Sequence, residues 1–350
     1  MNEIIKEYKA IDADGIKIYL ETEDLYNNYL FVKKRFKEYK GSMIWKKSGA
    51  KEYLFRLKGR RGYGKSLGAK SPETIKIYNS FHNNKKEINN TYKSLKEKLK
   101  TKARLCKAIG LGRVPNIVTS ILRILEEEGF LESSFIIIGS NSLYAYEQMA
   151  GIHFKDSITA TQDVDLLWDV RSLLSIHLPN FTDKKNLLNI IQKADRSFRS
   201  IRSFGFRAVN KDGYMVDLIK PIPRPPWKKE RKSLGLRNDL VAAHIRNIEW
   251  LIASPKVSKT VIGVDGYPAR IVVPDPRSFA LHKLWLSKQD DRDNLKKKRD
   301  YMQAILVANL VIKYLPQYQF KQAELKMFPK NIIEKILKEL KNEGMPIDFS

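Results

Sequence analysis

The sequence FIIIGS at residues 135–140 is followed, after 22 intervening residues, by DVDL at residues 163–166. A short apolar run bounded by turn-forming residues is typical of a buried strand. Where such a strand ends in Gly-Ser and opens a helix, unpaired backbone N–H groups and the positive end of the helix are available to phosphate groups. Gly139 permits another group to approach the backbone closely. The stretch therefore predicts a strand, a tight bend and a helix, with a phosphate-binding position at the bend.

Three aspartates in predicted strands are candidate ligands for divalent metal ions. Asp163 and Asp165 are separated by one residue, and because side chains alternate along a strand, both carboxylates lie on the same face. The apolar segment 214–219 contributes a third aspartate, Asp217. An aspartate in a strand can also form a salt bridge at a sheet edge, but a buried charge requires either a charged partner or a metal. We predict that the three carboxylates together hold metal ions.

The combination of a Gly-Ser bend, paired aspartates and a later strand aspartate resembles the DNA polymerase β-type nucleotidyltransferase superfamily. More narrowly, three runs resemble a family of predicted bacterial nucleotidyltransferases: GSNSLYAYE at residues 139–147, TQDVDLLWD at 161–169 and PDPRSFALHK at 274–283. The likeness extends over residues 105–315. The interval of 22 residues between the bend and the paired aspartates is longer than the superfamily usually has.

The resemblance implies both a fold and roles for the aspartates. The fold would be α+β, with a polymerase β-like core in which helices flank a mixed sheet. Asp163 and Asp165 would bind two Mg²⁺ ions, or Mn²⁺ in their place. Asp217 would share one of these ions and orient the attacking hydroxyl group.

Residues of the bend and of the C-terminal half are candidates for binding the nucleotide. By the same resemblance, Gly139, Ser140 and Asn141 would hold its phosphates. A weaker likeness, of LHKLW around Lys283 and of KRD at residues 298–300, is to abortive-infection nucleotidyltransferase toxins. In that family the lysine assists the triphosphate, which makes Lys283 a candidate for the same role. Charged residues on a helix are more often solvated or paired, and this alternative stays open.

Positive charge is concentrated in the N-terminal third. Residues 33–113 contain 25 lysine and arginine residues against five acidic ones, which gives +20 of the formal charge of +26. Clustered charge of this size is typical of a surface that binds a polyanion. Aromatic residues at positions 53, 55, 63, 78, 81 and 92 lie between the cations, where they would stack on unpaired bases. We predict RNA contact through residues 33–113; a solvated helix face is the alternative.

Three regions are predicted along the chain. Residues 1–130 form a basic, mainly helical region for nucleic-acid contact, residues 131–226 form the nucleotidyltransferase core, and residues 227–350 form a mainly helical region that completes the nucleotide site. The apolar periodicity predicts strands at 135–138, 164–168, 206–209 and 215–219. It predicts helices at 20–39, 72–99, 142–149 and 184–198, the second of them capped by Ser71. Asp265-Gly266 predicts the turn of a hairpin over residues 261–273.

Several other classes of protein are disfavoured. No apolar run reaches the roughly 18 residues of a membrane span, and basic residues without a strongly apolar face argue against a membrane surface. The histidines lack metal-ligand spacing, and the Gly-Ser bend lies outside a Gly-x-Ser-x-Gly elbow. GRRGYGKS at residues 59–66 matches the phosphate-loop pattern, but without a buried strand before it or a helix directly after it. A single cysteine, Cys106, and an N-terminus without a signal segment predict a reducing cytoplasm.

We therefore predict an enzyme that uses Mg²⁺ to transfer a nucleoside monophosphate from an NTP to a hydroxyl group, with release of pyrophosphate. The basic region indicates an RNA acceptor, for example the 3′ end of a tRNA. Two alternatives stay open. One is a nucleic-acid-binding protein whose nucleotidyltransferase-like core is catalytically silent, and the other is a transferase that modifies a protein or a small molecule, as toxins do.

Overall fold

The computed structural model describes residues 7–58, 64–131, 133–169, 186–201, 204–223, 225, 227, 232–233 and 239–347. The chain forms two compact units. The N-terminal unit comprises residues 17–111 together with 265–268, and the core unit comprises the residues before 17, those from 112 to 264 and those from 269 onwards. The region boundaries at residues 130 and 226 stay predictions.

The described part of the chain contains both strands and helices, with groups of consecutive strands and of consecutive helices. The strands are β1 (Tyr8–Ala10), β2 (Ser42–Ser48), β3 (Lys51–Leu57), β4 (Gly64–Ala69), β5 (Phe135–Ile138), β6 (Ile152–Phe154), β7 (Asp163–Trp168), β8 (Arg199–Ile201), β9 (Phe204–Val209), β10 (Met215–Pro221), β11 (Ala243–Ile245), β12 (Lys256–Ile262) and β13 (Pro268–Pro274). The helices are α1 (Ala13–Glu38), α2 (Pro72–Ala108), α3 (Asn116–Glu128), α4 (Leu143–Ala150), α5 (Asp156–Thr159), α6 (Leu187–Ile191), α7 (Glu249–Ala253), α8 (Pro276–Leu286), α9 (Asn294–Tyr314) and α10 (Lys330–Asn342).

The main sheet of the core unit is mixed. Its strands lie in the order β5-β7-β10-β9-β8, and β11 pairs with the end of β10. β7 and β10 are parallel, whereas β5 pairs antiparallel with β7 and β9 pairs antiparallel with β10. The parallel register sets Asp165 opposite Asp217. Two aspartates that are distant in the sequence therefore lie side by side in the sheet.

Apolar residues of β5 and β7 fix this sheet in the main hydrophobic core. All four side chains of β5 are buried, as expected for a strand that is covered on both faces. In β7, Val164 and Leu166 are buried, while Asp163 and Asp165 keep partial contact with solvent. Because side chains alternate along the strand, burial of the apolar pair turns both carboxylates to the other face.

The C-terminal helices pack beside the bend that follows β5. α8 and α9 pack against each other, and α9 also contacts α4. Each of the two begins at an aspartate cap: the side chain of Asp275 accepts a hydrogen bond from the backbone of Arg277, and that of Asp293 accepts from the backbone of Leu295. These caps fix where the two helices begin and so which of their residues face the core.

The N-terminal unit contains α2, most of α1 and a three-stranded antiparallel sheet in the order β2-β3-β4. Ser71 caps α2 and Pro72 stands at its first position, as the sequence predicts. Met43, Leu54 and Phe81 form a small buried cluster between the sheet and α2. One face of this sheet is therefore held against the helix.

The predicted fold class is confirmed. The structure is α+β, with a mixed sheet flanked by helices, and its N-terminal and C-terminal regions are mainly helical. The predicted pairing around Asp265-Gly266 is present as β12 and β13. No helix in the described part of the chain is both long enough and apolar enough to span a bilayer.

Some predicted boundaries differ from the structure. The helix expected over residues 184–198 is present only as Leu187–Ile191, and residues 184–185 lie outside the described residues. The carboxylate of Asp195 accepts a hydrogen bond from the backbone N–H of Ser197, a local turn that competes with a continuing helix. Residues 59–63 of the phosphate-loop match also lie outside the described residues.

Candidate active site

The backbone turns sharply at Gly139, where β5 leads through a short 3₁₀ turn into α4. Gly139 has a φ of +69°, in the left-handed region that strains residues with a Cβ. A Cβ at this position would lie 2.3 Å from Oδ2 of Asp165. Glycine is therefore required both by the backbone conformation and by the carboxylate that approaches the bend.

The two residues after Gly139 are buried and tied to neighbouring elements. Oγ of Ser140 accepts a hydrogen bond from Nε2 of Gln303 at 3.0 Å, and the same nitrogen lies 3.0 Å from the carbonyl oxygen of Ile158. Nδ2 of Asn141 donates to the carbonyl oxygen of Asp163 at 2.6 Å. Oδ1 of Asn141 has no hydrogen-bond partner in the described part of the chain. The bond from Asn141 holds the bend against the start of β7, and the bond from Gln303 holds it against α9.

The three predicted aspartates lie on one face of the main sheet. Asp165 and Asp217 are register partners on parallel strands, so their side chains project in the same direction. Asp163 lies two residues before Asp165 and shares that face. Asp217 is buried, and the other two are partly exposed. The structure thus brings together the carboxylates that the sequence singled out.

Asp217 is paired with an arginine of the neighbouring strand. Arg207 is its register partner on the antiparallel strand β9. Nε of Arg207 lies 2.7 Å from Oδ1 of Asp217, and Nη2 lies 2.6 Å from Oδ2. Such a two-point contact between guanidinium and carboxylate is the strongest form of ion pair. Arg207 therefore neutralises one of the three carboxylates.

Asp165 keeps only part of its surface in contact with solvent, and its surroundings raise the pKa of its carboxyl group above the ordinary value. Burial, followed by the negative charges of Asp163 and Asp217, raises the pKa of Asp165 to about 7. The positive charges of Lys283 and Arg299 act in the opposite direction but are smaller effects. The site thus holds more negative charge than its own cations offset, and a further cation would relieve that excess.

Lys283 occupies a buried ion pair. Its Nζ donates to Oδ1 of Asp300 at 2.6 Å, and Nε of Arg292 donates to the other oxygen of Asp300 at 2.8 Å. Burial lowers the pKa of Lys283, and the charge of Asp300 opposes that change. Lys283 is therefore close enough to influence Asp165, but its hydrogen bond goes to Asp300.

The donor atoms at the sheet have the chemistry of a magnesium site. Carboxylate oxygens are the ligands that Mg²⁺ prefers. Among the residues that the structure describes, no three acidic, histidine or cysteine side chains are positioned to hold one ion together. Both oxygens of Asp217 are bonded to Arg207. The residue types suit the ion, but in this arrangement both oxygens of the third carboxylate are taken up by Arg207.

Two residues of the site, Arg207 and Gln303, were absent from the sequence predictions, and a third, Arg299, stood there only as part of the KRD motif. Arg207 is the charged residue within the apolar strand sequence FGFRAV, which was a usable signal. Gln303 follows the KRD motif at residues 298–300 by one helical turn, so helical spacing could have indicated it. Arg299 is half-buried, and its Nε has no hydrogen-bond partner in the described residues.

Comparison with known proteins identifies the family to which this chain belongs. A family model described as nucleotidyltransferase matches residues 116–329, which is more than half of the chain. The matched segment contains the bend, the three aspartates and Lys283. The chain belongs to this nucleotidyltransferase family. The predicted class of enzyme is thereby confirmed, while the likeness to abortive-infection toxins stays a prediction.

Other comparisons are more distant. No curated protein sequence matches the chain. One solved structure with partial similarity is that of an antigenic nucleotidyltransferase-like protein from Paracoccidioides brasiliensis. The two chains are 16% identical, and the alignment covers 65% of this chain and 89% of that chain with a TM-score of 0.35.

The substitution Gly139→Ala tests the close approach of Asp165 to the bend. We expect it to lower the free energy of unfolding by about 2–4 kcal/mol, because it combines a strained φ with a collision against the carboxylate. Gly129→Ala is the matched control, since Gly129 has a φ of +77° but an added Cβ would meet nothing within 4 Å. The control should lose only about 1 kcal/mol. Urea unfolding followed by circular dichroism measures both, and equal losses would contradict the proposed crowding.

The raised pKa of Asp165 predicts a pH dependence of stability in the absence of divalent ions. The folded state binds the proton of Asp165 more tightly than the unfolded chain does. The contribution of this group to the free energy of unfolding therefore falls as pH rises from about 4 to about 7 and is constant above that. Asp165→Asn should therefore be more stable than the wild type by about 2–4 kcal/mol at pH 8 and nearly equal to it at pH 4. Unfolding in EDTA across this range measures the difference, with the exposed Asp212→Asn as control. A difference that does not change with pH would refute the expectation.

Proposed function

We propose that the protein transfers a nucleoside monophosphate from an NTP to a hydroxyl group of RNA and releases pyrophosphate. The observation that carries this proposal is the register that sets Asp165 beside Asp217, next to the bend at Gly139. Acidic strands that meet at a phosphate-binding bend are the arrangement that metal-assisted phosphoryl transfer uses. Membership of a nucleotidyltransferase family supports the same class of reaction.

Asp163, Asp165 and Asp217 are the proposed ligands of Mg²⁺, or of Mn²⁺ in its place. Two bound ions would lower the pKa of the attacking hydroxyl group and neutralise charge on the departing pyrophosphate. The raised pKa of Asp165 supports this assignment, because a carboxyl group with a pKa of about 7 ionises readily once a cation is beside it. Arg207 must release Asp217 for that residue to take part, so Arg207 tunes the affinity of the site for the cation.

The bend and α9 are proposed to bind the nucleotide. Backbone N–H groups after Gly139, together with Ser140 and Asn141, face the phosphates, and Lys283 and Arg299 supply positive charge. During transfer the hydroxyl oxygen bonds to the α-phosphorus, and the bond from that phosphorus to the bridging oxygen breaks. Pyrophosphate leaves with the electron pair, and the hydroxyl proton passes to solvent.

The acceptor is proposed to be RNA, with the 3′ end of a tRNA as one candidate. The net charge of +20 in residues 33–113 supports a polyanionic acceptor, since clustered cations gain affinity by releasing counterions from a nucleic acid. A cytoplasmic location is proposed with it, on the sequence argument that a chain with a single cysteine, Cys106, has no internal disulfide.

A catalytically silent, nucleic-acid-binding protein is the second candidate. The observation that favours it is the ion pair between Arg207 and Asp217, which takes both oxygens of a proposed metal ligand. If that pair never opened, the site would lack its third carboxylate. RNA binding without transfer of any nucleotide would then be the function of the chain.

Transfer of label from each of the four NTPs to total RNA in the presence of Mg²⁺ tests the primary proposal. We expect one or more nucleotides to be incorporated, and the double variant Asp163→Asn with Asp165→Asn to lose about 100-fold or more of the rate. The matched control is Asp212→Asn, an exposed aspartate on the turn before β10. Label that persists in the double variant would refute the proposed catalytic residues. Absence of transfer with every NTP, alongside salt-sensitive RNA binding, would establish the silent alternative.

The substitution Arg207→Met tests whether this arginine competes with the cation. Removal of the guanidinium leaves Asp217 uncompensated, so we expect Mn²⁺ to bind about tenfold more tightly to the protein without nucleotide. Electron paramagnetic resonance of free Mn²⁺ measures the affinity. Arg199→Met on the adjacent strand β8 is the control, because the hydrogen bonds of Arg199 go to the backbone carbonyls of residues 196 and 198. Unchanged or weaker Mn²⁺ binding in Arg207→Met would exclude the competition.

A further inference from the structure

The three-stranded sheet of the N-terminal unit has two unlike faces. On one face, Met43 of β2 and Leu54 of β3 are buried against Phe81 of α2. Trp45 lies on the same face, with its ring 5.8 Å from that of Tyr78 on α2. This helix-covered face explains why the sheet is stable, but it uses only every second residue of each strand.

The opposite face carries aromatic and basic side chains that remain in contact with solvent. Ile44 pairs with Phe55, and Lys46 pairs with Tyr53, so these four residues share that face. Nζ of Lys46 lies 5.1 Å from the centre of the Phe55 ring, which places the two side chains on the same side of the sheet. Tyr53 and Phe55 are half-buried, whereas Leu54 between them is fully buried. We call the residues Ile44, Lys46, Lys51, Tyr53, Phe55 and Ser66 the outer sheet face.

The charge of this face is uniformly positive. Lys46 and Lys51 are exposed on it, and among the described strand residues of the outer sheet face none is acidic. Glu52 of β3 lies on the helix-covered side, where it pairs with Lys70 at 2.5 Å. Glu52 thus lies on the opposite face from Tyr53 and Phe55. Residues 33–113 as a whole carry a net charge of +20.

We infer that the outer sheet face binds unpaired bases of single-stranded RNA, with Tyr53 and Phe55 as stacking platforms and Lys46 and Lys51 as phosphate contacts. The inference rests on the proposed function in that RNA is taken as the acceptor. Two rings at alternate positions of one strand stand about 7 Å apart, so each can take a different base. Stacking needs an accessible ring face and tolerates any base, whereas the cations follow the backbone. Unpaired bases are the usual target of such surfaces in RNA.

A protein partner fits these observations less well. Protein interfaces of standard type have an apolar centre with few lysines, whereas lysine here lies directly over an aromatic ring. The contact between Lys46 and Phe55 is weak at an exposed position, so a base can replace the ammonium group, which then turns towards a phosphate.

Fluorescence anisotropy with the full chain and a labelled oligouridine of about 12 nucleotides tests the inference. NTP and divalent ions are left out, so that binding is measured apart from transfer. The variant Tyr53→Leu with Phe55→Leu keeps apolar bulk on the sheet but removes both rings. We expect its affinity to fall about tenfold or more. Lys46→Gln with Lys51→Gln should weaken binding and reduce its dependence on salt.

Two controls make the result specific. Phe31 lies on α1 in the same unit and is 63% exposed. Phe31→Ala removes this ring and should leave the affinity for the oligonucleotide unchanged. Tyr53→Phe with Phe55→Tyr retains both rings and should retain affinity. Thermal unfolding of every variant shows whether the unit is intact.

Three outcomes would overturn the inference. Equal affinity of the leucine variant and the wild type would exclude stacking on these rings. If heparin or duplex RNA competed with the labelled oligouridine as well as unlabelled single-stranded RNA does, the face would bind polyanions in general and not unpaired bases. Equal affinity for the same sequence as DNA would remove the assignment to RNA.

The proposed reaction and the proposed RNA surface can fail independently of each other. Asp212→Asn, an exposed aspartate outside the proposed catalytic residues, should bind the oligonucleotide as the wild type does. If nucleotide transfer is absent while the leucine variant loses RNA, the proposed reaction is wrong and the RNA surface stands. If transfer to RNA proceeds and the leucine variant binds normally, the surface is wrong and the reaction stands.

Discussion

The repulsion among three carboxylates on neighbouring strands is the constraint to which the rest of the site responds. Strand pairing forces Asp165 and Asp217 side by side, and alternation adds Asp163 to the same face. The carboxylate of Asp165 is also pressed against the backbone at Gly139, where even one additional carbon atom would lie 2.3 Å from its oxygen. Such a cluster is stable only if positive charge, protonation or a bound cation offsets it. Arg207 provides the first of these at Asp217, while burial, followed by the negative charges of Asp163 and Asp217, raises the pKa of Asp165.

The C-terminal helices explain why the compensation remains partial. Lys283 brings a positive charge near Asp165, but its ammonium group is hydrogen-bonded to Asp300, which is fully buried. Arg292 binds the other oxygen of the same carboxylate, and the charge of Lys283 lowers the pKa of Asp165 without cancelling the effects of burial and of the neighbouring aspartates. Arg299 acts on Asp165 without a partner at its Nε among the described residues. The same helix contributes Gln303, which is neutral and positions Ser140. α9 thus positions the bend through Gln303 and supplies positive charge near Asp165 through Arg299.

The parts of the site that could be predicted from sequence are those fixed by local geometry. The alternation of Asp163 and Asp165 depends only on strand periodicity, and the need for glycine at residue 139 follows from a strand that turns into a helix. The pairing of Arg207 with Asp217 depends on the alignment of β9 with β10, and the pairing of Lys283 with Asp300 depends on how two helices pack. No spacing in the sequence encodes either alignment, because register is set by the whole sheet and its core. The helix predicted over residues 184–198 was too long for a local reason. The side chain of Asp195 forms a turn with the backbone of Ser197, and apolar periodicity does not reveal such a turn.

The long interval between the bend and the paired aspartates is occupied by folded structure that returns the chain to its starting point. α4 leads to β6, which pairs antiparallel with β1, and α5 follows before β7 begins. The buried carboxylate of Glu147 anchors this excursion, since it accepts a hydrogen bond from the backbone of Phe154 at 2.7 Å and an ion pair from Arg113 at 3.2 Å. The two ends then meet, because Nδ2 of Asn141 lies 2.6 Å from the carbonyl oxygen of Asp163. The pairing of β5 with β7 and this side-chain contact close the loop, so Asp163 lies beside the bend although 22 residues separate it from Ser140.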